Sequence, residues 1–306
     1  MKGKSTAIDV SSAKLAYRLF GEGKDNFVVI ETALGSCSAE WWHLAEIIGR
    51  NATVLTYDRA GYGKSSKSSL ARTPKNIAKE LFCFLGKLGI AHKVILVGHS
   101  QGGLYAQQFA RDYPDMVQGV VLIDPLSAND SRFSTLLTAK EYAQSGVDKT
   151  KALKLGATLC NIGLGPLFKP MIKKGVPFYY YKGFSKEAEH YLLTSLTKAS
   201  HYKTALAEYR LAHEDSEVNK LKDKTDFPDI PITLITHNSK VAIEEIMNFG
   251  GATKEVAEKV EQIWQQLMKE YLSFSAKTKW LQAENSSHFV HLTESDLVLN
   301  CIKEII

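Results

Sequence analysis

Gly98-His99-Ser100-Gln101-Gly102 is the stretch of sequence that decides the fold. An apolar run, residues 93–97, precedes it, and an amphipathic run with helical periodicity begins at Leu104. A serine between a buried strand and a helix lies on a sharp turn, and small flanking residues let neighbouring backbone approach it while its hydroxyl points into a pocket. The two glycines and their setting therefore predict a nucleophile elbow at Ser100.

The composition is that of a folded globular chain. With 306 residues, 44% apolar and 23% charged, it can bury one large core, or a core plus a lid. The net charge of +5 is interpreted as basic residues scattered over a solvated surface, so we expect no nucleic-acid partner. The basic amino terminus leads into polar sequence and no apolar run approaches membrane-spanning length, so we expect a cytoplasmic protein without stable membrane insertion.

Strand-like and helical runs alternate along the first part of the chain. Residues 14–20, 27–31, 53–57, 93–97 and 117–123 have strand patterns, with helical patterns at 40–48, 77–88 and 104–113. Such a βαβ series predicts an α/β fold with a mostly parallel central sheet flanked by helices.

The alternation stops after Pro125. Residues 126–228 contain helical stretches such as 186–211 but no convincing strand, whereas 231–236 and 278–283 again have strand patterns. We therefore predict a core in two parts, residues 1–125 and 229–306, interrupted by a helical lid at residues 126–228.

Four motifs, in this order, resemble those of the α/β-hydrolase fold superfamily, and the resemblance covers nearly the whole chain. They are Glu31-Thr32-Ala33-Leu34-Gly35-Ser36, Tyr57-Asp58-Arg59-Ala60-Gly61-Tyr62-Gly63-Lys64-Ser65, Gly98-His99-Ser100-Gln101-Gly102-Gly103 and Ser287-His288-Phe289-Val290-His291. The resemblance implies a lid-bearing, esterase-like serine hydrolase that takes a small-molecule acyl substrate. That chemistry needs no metal and no organic cofactor.

The resemblance also implies roles for individual residues. The superfamily places its histidine in the loop after the last strand, where His288 and His291 lie, and we take His288 as the base that activates Ser100. The oxyanion hole needs two backbone N–H groups, which by position are those of Ala33 and Gln101. Ala33 stands where glycine is common in the superfamily.

The acid that orients His288 is harder to assign. Superfamily members most often supply it a few residues after the seventh strand, yet residues 236–241 contain no carboxylate. A second known arrangement places the acid directly after the sixth strand, where Asp124 stands. We take Asp124 as the candidate, and its rivals are Asp130, Glu244 and Glu245.

These residues predict hydrolysis of a carboxylic ester or related acyl bond through an acyl-enzyme. Epoxide hydrolases and haloalkane dehalogenases share the fold but use an aspartate nucleophile, so Ser100 argues against both. Two alternatives stay open. One is a ligand-binding or signalling protein of this fold with little turnover; the other is an aminopeptidase, in which a substrate amine would be held by acidic lid residues such as Glu208, Glu214 or Asp215. The sequence leaves the natural substrate and the oligomeric state undetermined.

Overall fold

A computed structural model describes residues 5–306, which form an eight-stranded sheet covered by helices on both faces. The strands are β1 (Thr6–Val10), β2 (Ala13–Phe20), β3 (Phe27–Glu31), β4 (Thr53–Tyr57), β5 (Val94–His99), β6 (Val117–Ile123), β7 (Ile232–Thr236) and β8 (Thr278–Gln282). Their spatial order is β1-β2-β4-β3-β5-β6-β7-β8. The pairs β1–β2 and β2–β4 are antiparallel and the remaining pairs are parallel. The predicted mostly parallel sheet is confirmed.

The helices fall into those that flank the sheet and those between β6 and β7. The flanking helices are α1 (Trp42–Ile48), α2 (Pro74–Lys87), α3 (Gln101–Asp112), α11 (Ser239–Glu245), α12 (Lys254–Glu270), α13 (Val290–Thr293) and α14 (Ser295–Lys303). The others are α4 (Arg132–Leu136), α5 (Ala139–Gln144), α6 (Thr150–Asn161), α7 (Lys169–Ile172), α8 (Lys186–Leu196), α9 (Ala199–Ala212) and α10 (Asp215–Lys222).

The central strands are buried on both faces, which explains their nearly continuous apolar sequence. Alternate residues such as Val29 and Leu96 pack in one cluster with α2, α3 and α12. Their neighbours Val28 and Val97 pack in a second cluster with α1 and α14. Both faces of the sheet thus contribute to the core, and the carboxyl ends of β5 and β6 lie side by side at one edge.

Two elements differ from the sequence-based prediction. Strand β1 precedes the predicted first strand and pairs with it as an antiparallel edge; its side chains are mostly exposed, so its sequence has no clear apolar alternation. The single helical stretch predicted at residues 186–211 is two helices, α8 and α9. The chain breaks there because Lys198 has extended backbone with ψ 136°, and the Thr197 hydroxyl donates to the carbonyl of Leu193 at 2.9 Å.

The segment between β6 and β7 contains α4 to α10 and contributes no strand to the sheet of residues 5–306. Helix α6 packs on α9, where a Cβ at Gly156 would lie 2.6 Å from the ring of Tyr202. That residues 126–228 act as a lid stays a prediction. In the part of the chain that the structure describes, no helix combines the length and apolar character needed to cross a bilayer.

Candidate active site

Ser100 occupies the turn between β5 and α3. Its backbone has φ 53° and ψ −124°, a strained conformation for a residue with a side chain. Its main-chain N–H donates to the carbonyl of Ile123 at 3.0 Å, which ties the turn to the end of β6. A Cβ at Gly102 would lie 2.2 Å from the Glu31 carbonyl oxygen, and one at Gly98 would lie 2.7 Å from the Gly102 carbonyl oxygen. The two glycines therefore permit the close backbone contacts that hold Ser100 in this turn.

His288 and Asp124 form a direct hydrogen bond. The Nδ1 of His288 lies 2.6 Å from Oδ2 of Asp124, which follows β6 and has a positive φ of 45°. Burial acts to raise the pKa of Asp124, but the charge of His237 and hydrogen bonds from both histidines hold it well below its usual range. Asp124 is therefore an ionised carboxylate that can fix the ring orientation of His288.

The structure places a second histidine on the same carboxylate. Nδ1 of His237 lies 2.8 Å from Oδ1 of Asp124, and Nε2 lies 2.8 Å from Oε2 of Glu261 on α12. Burial acts to lower the pKa of His237, but its two carboxylate partners raise it to about 10. The ring also stacks on Trp264, with centroids 3.9 Å apart. His237 is thus a buried imidazolium between two carboxylates.

The hydroxyl of Ser100 is the remaining member of the candidate triad. Among residues 5–306 its oxygen has no hydrogen-bond partner, and the His288 side chain is 35% exposed. Because Asp124 takes Nδ1 of His288, Nε2 is the ring atom left for a serine hydroxyl. Hydrogen bonds in ligand-free catalytic sites are often long and shorten when substrate binds.

Arg59 holds the turn that contains Ala33. Its guanidinium donates to the Thr32 carbonyl at 2.6 Å and to the Ala33 carbonyl at 3.0 Å, and Nη1 lies 3.5 Å from Oε2 of Glu31. Burial raises the pKa of Glu31 to about 7, and the Tyr57 hydroxyl donates to it. With both carbonyls of the turn bonded to one cation, the backbone around Ala33 is fixed although the residue is not glycine.

Glu208 extends this network to the inserted helices. It is fully buried on α9, 3.0 Å from Arg59 and 3.3 Å from Arg72, and the Tyr62 hydroxyl donates to it at 2.9 Å. Burial acts to raise the pKa of Glu208, but the charges of Arg59 and Arg72 outweigh this effect and lower it. Its charge is already balanced, so it is not available to hold a substrate amine.

A buried polar cluster lies beneath the elbow. His291 Nε2 lies 3.0 Å from Oε1 of Glu40, and the His291 ring stacks on Trp41 with centroids 4.1 Å apart. His99 Nε2 contacts the His288 carbonyl oxygen at 2.8 Å. Burial lowers the pKa of both His99 and His291 well below its usual value. Glu40, His99 and His291 offer three ligand atoms within 4.8 Å of one another, one fewer than a structural zinc site uses.

Two of the rival acids have other partners, and the third is exposed. Asp130 lies 2.8 Å from Nε2 of His213 in the inserted segment, and Glu244 is exposed on α11. Glu245 accepts hydrogen bonds from the hydroxyls of Ser287 and Tyr180, the latter at 2.6 Å. Of the four candidate carboxylates, Asp124 is the one bonded to His288.

His237 and Glu261 were not among the sequence-based candidates. The available signal was the position of His237, which directly follows β7 in the loop from which superfamily members most often supply the acid. The register of β6 against β7 pairs Ile123 with Ile235, so the residues that follow these strands lie next to one another. A histidine there is therefore adjacent to Asp124.

Comparisons with known proteins agree with this architecture. A family model described as alpha/beta hydrolase fold matches residues 26–152. The uncharacterized protein YqjL of Bacillus subtilis is 24% identical over 279 residues, which cover 91% of this chain and 82% of YqjL. A (lyso)-N-acylphosphatidylethanolamine lipase of Bos taurus is 32% identical over 89 residues, which cover 28% of this chain and 26% of the lipase.

Solved structures share the fold at low sequence identity. ALR0039 from Nostoc sp PCC 7120 has a TM-score of 0.75 and 16% identity, with 99% of this chain and 97% of that chain covered. The enol-lactonase from Burkholderia xenovorans LB400 has a TM-score of 0.66 and 14% identity, with 98% and 99% covered. The epoxide hydrolase CorEH has a TM-score of 0.65 and 17% identity, with 99% and 98% covered. The chain therefore has the α/β-hydrolase fold, and residues 26–152 match the family model of that fold.

Proposed function

We propose that this protein is a serine hydrolase that cleaves a carboxylic ester or a related acyl bond. The observation that carries the proposal is the 2.6 Å hydrogen bond between His288 and the buried carboxylate of Asp124, beside a strained turn that presents Ser100. A nucleophilic serine needs a base, and the base needs a group that orients it. Ser100 and Asp124 directly follow neighbouring strands at the carboxyl edge of the sheet, where folds of this class bind their ligands, and His288 is bonded to Asp124.

In the proposed reaction, Ser100 Oγ attacks the acyl carbon and His288 Nε2 takes the hydroxyl proton. The negative charge on the acyl oxygen is stabilised by the main-chain N–H groups of Ala33 and Gln101. His288 returns the proton to the leaving group, and the acyl-enzyme forms on Ser100. A water molecule, deprotonated by His288, then attacks the acyl carbon; the bond to Ser100 Oγ breaks, His288 returns the proton to Ser100, and the acid is released. These steps need neither a metal ion nor an organic cofactor.

Two other functions have weaker support. For an aminopeptidase, Glu208 is not free to bind a substrate amine, because two buried arginines already balance its charge. The other two acidic candidates, Glu214 and Asp215, are exposed around the start of α10. A ligand-binding protein of this fold would keep the same residues but would bind its ligand without turnover. The fold is shared with an epoxide hydrolase, but a serine cannot replace the aspartate nucleophile of that chemistry.

The first test is covalent labelling by a fluorophosphonate, followed by intact mass. We expect one adduct per native chain, no adduct on Ser100→Ala, and strongly slowed labelling of His288→Ala. The matched controls are Ser134→Ala on α4 and His190→Ala on α8, which are exposed outside the proposed site and should label like the native chain. Labelling of Ser100→Ala at the native rate, or no labelling of the folded native chain, would refute the proposal.

The identity of the acid is tested separately. We expect Asp124→Asn to lower kcat for a short-chain ester by roughly a thousandfold or more, because the wrong histidine tautomer is then favoured. Asp130→Asn and Glu245→Gln should change kcat by less than about tenfold, since neither acid contacts the base. A large loss in either of those variants with little loss in Asp124→Asn would move the acid assignment to the rival.

A further inference from the structure

The net positive charge of this chain is concentrated in one segment, contrary to our sequence-based interpretation that it comes from scattered basic residues. Residues 149–186 contain eight lysines and no aspartate, glutamate or arginine. The rest of the chain has 30 Lys and Arg against 33 Asp and Glu. The whole positive surplus therefore lies in this one segment, which begins at α6 and ends at the start of α8. We call it the basic segment.

The same segment exposes large apolar side chains. The four most exposed among residues 5–306 all lie in it: Leu167 at 73%, Ile162 and Met171 at 63%, and Leu155 at 59%. Leu155 lies on the face of α6 opposite its buried residue Ala157, and Ile162 directly follows the end of this helix. Soluble proteins rarely leave apolar side chains clustered in this way unless the surface binds something.

The basic segment also contains tyrosines from which a series of aromatic rings leads to the candidate active site. The Tyr179 ring is 52% exposed and lies 5.0 Å from Phe249 and 5.1 Å from Tyr180, measured between centroids. The Tyr180 ring lies 6.0 Å from Phe289, whose ring is 5.5 Å from that of His288. A molecule that leaves an apolar phase at the basic segment would therefore meet aromatic side chains until it reaches the base.

We infer that the basic segment docks the protein on an anionic lipid surface, so that the bilayer supplies a long-chain acyl lipid to Ser100. Lysines attract anionic headgroups, and Leu, Ile and Met side chains enter the boundary between headgroups and acyl chains. A second copy of this chain fits poorly, because eight lysines would face eight lysines. Nucleic acid is disfavoured because the segment has no arginine and its most exposed apolar residues are aliphatic. The substrate part of the inference rests on the proposed function, whereas the docking part does not.

Docking is tested by co-sedimentation of the full chain with phosphatidylcholine vesicles, with and without phosphatidylserine. We expect binding only with phosphatidylserine, and loss of binding as salt rises. Each of three single substitutions should weaken partition of the protein to these vesicles by about fivefold: Lys151→Gln, Lys154→Gln and Lys174→Gln. The matched control removes three exposed lysines of α2, in Lys75→Gln, Lys79→Gln and Lys87→Gln, and should bind like the native chain.

The apolar contribution to docking is tested by a double variant that combines Leu167→Ser and Met171→Ser. Its control is Leu272→Ser, at an exposed position outside the basic segment. We expect the double variant to bind phosphatidylserine vesicles at least about tenfold more weakly and the control to bind normally. The double variant should still hydrolyse a soluble short-chain ester at the native rate, but should lose most hydrolysis of a long-chain ester presented in the vesicles.

Several results would overturn the inference. They are failure of the native chain to sediment with phosphatidylserine vesicles, equal binding by the surface variants and their controls, and a dimer that the double variant dissociates. Preferential binding to a short DNA duplex would assign the basic segment to nucleic acid instead. Ser100→Ala should bind vesicles normally. Failure of docking with intact fluorophosphonate labelling would therefore leave the proposed function standing, and failure of labelling with intact docking would refute only the proposed function.

Discussion

Replacing His237 by glutamine should make the stability of this protein less dependent on pH. The ring lies between two buried carboxylates, Asp124 and Glu261, each 2.8 Å from one of its nitrogens. Although burial acts to lower the pKa of His237, these carboxylates raise it from 6.5 to about 10. The folded state therefore binds a proton that the unfolded chain releases at a lower pH.

The size and sign of the effect follow from this difference. Because the folded pKa lies above the unfolded one, the stabilisation is fully present below about pH 6.5 and is lost as the pH rises through about 10. Within that window each pH unit removes about 1.4 kcal/mol from the free energy of unfolding. Between about pH 7 and about pH 9, the native chain should lose roughly 2.5 kcal/mol more from this source than a variant that lacks the ring.

Urea unfolding followed by circular dichroism at several pH values measures this difference. The free-energy gap between the native chain and His237→Gln should narrow as the pH rises, whereas the gap to His190→Gln, an exposed histidine on α8, should stay constant. A gap to His237→Gln that is the same at every pH would show that His237 is uncharged in the folded protein. Ester hydrolysis should fall less in His237→Gln than in Asp124→Asn, because His288 keeps its carboxylate partner.

Three further substitutions test the structure around Ser100 and around the turn that contains Ala33. Gly102→Ala should abolish labelling at the elbow, because its Cβ would lie 2.2 Å from a backbone oxygen, whereas Gly86→Ala, with nothing within 4 Å of its Cβ, should label normally. Glu208→Gln should lower the free energy of unfolding in urea by roughly 1–3 kcal/mol, because it removes a carboxylate shared by two buried arginines, although Arg59 keeps Glu31 and Arg72 keeps Glu80. Exposed Glu214→Gln should change it by less than about 0.5 kcal/mol. Burial raises the pKa of Glu31 from 4.5 to about 7, so the free energy of unfolding should fall as the pH rises from about 4.5 to about 7. In Glu31→Gln, this fall should be smaller by roughly 2–3 kcal/mol, measured by urea unfolding at both ends of the range.

The central sheet was predictable because β3, β5 and β6 are apolar throughout, as strands buried on both faces must be. The elbow was predictable because close backbone contacts leave no room for a Cβ at positions 98 and 102, so both positions are glycine. Strand β1 was missed because it lies at the sheet edge with mostly exposed side chains. Exposure removes the periodic pattern on which such predictions depend.

The surroundings of the candidate site were less predictable because they join residues far apart in the chain. His237 meets Asp124 through the register of β6 against β7, which local sequence does not encode. Glu208 lies on an amphipathic helix, where a glutamate is ordinarily solvated, yet it is buried against arginines that lie 149 and 136 residues away in the chain. Pairs between residues this far apart in the chain can be identified only in the folded structure.

These long-range pairs also explain why the basic segment keeps its positive charge. Glu208 is committed to the buried arginines, Asp130 to His213, and Glu245 to hydroxyls beside the candidate site. Acidic residues near the inserted helices are thus bonded inward or to their neighbours, and one lysine of the segment, Lys173, forms an ion pair with Glu189. The remaining lysine charge faces solvent beside exposed apolar side chains, where an external anionic surface can balance it. Because that attraction acts through water, it should weaken with ionic strength, whereas the buried pairs that fix the turn containing Ala33 should not.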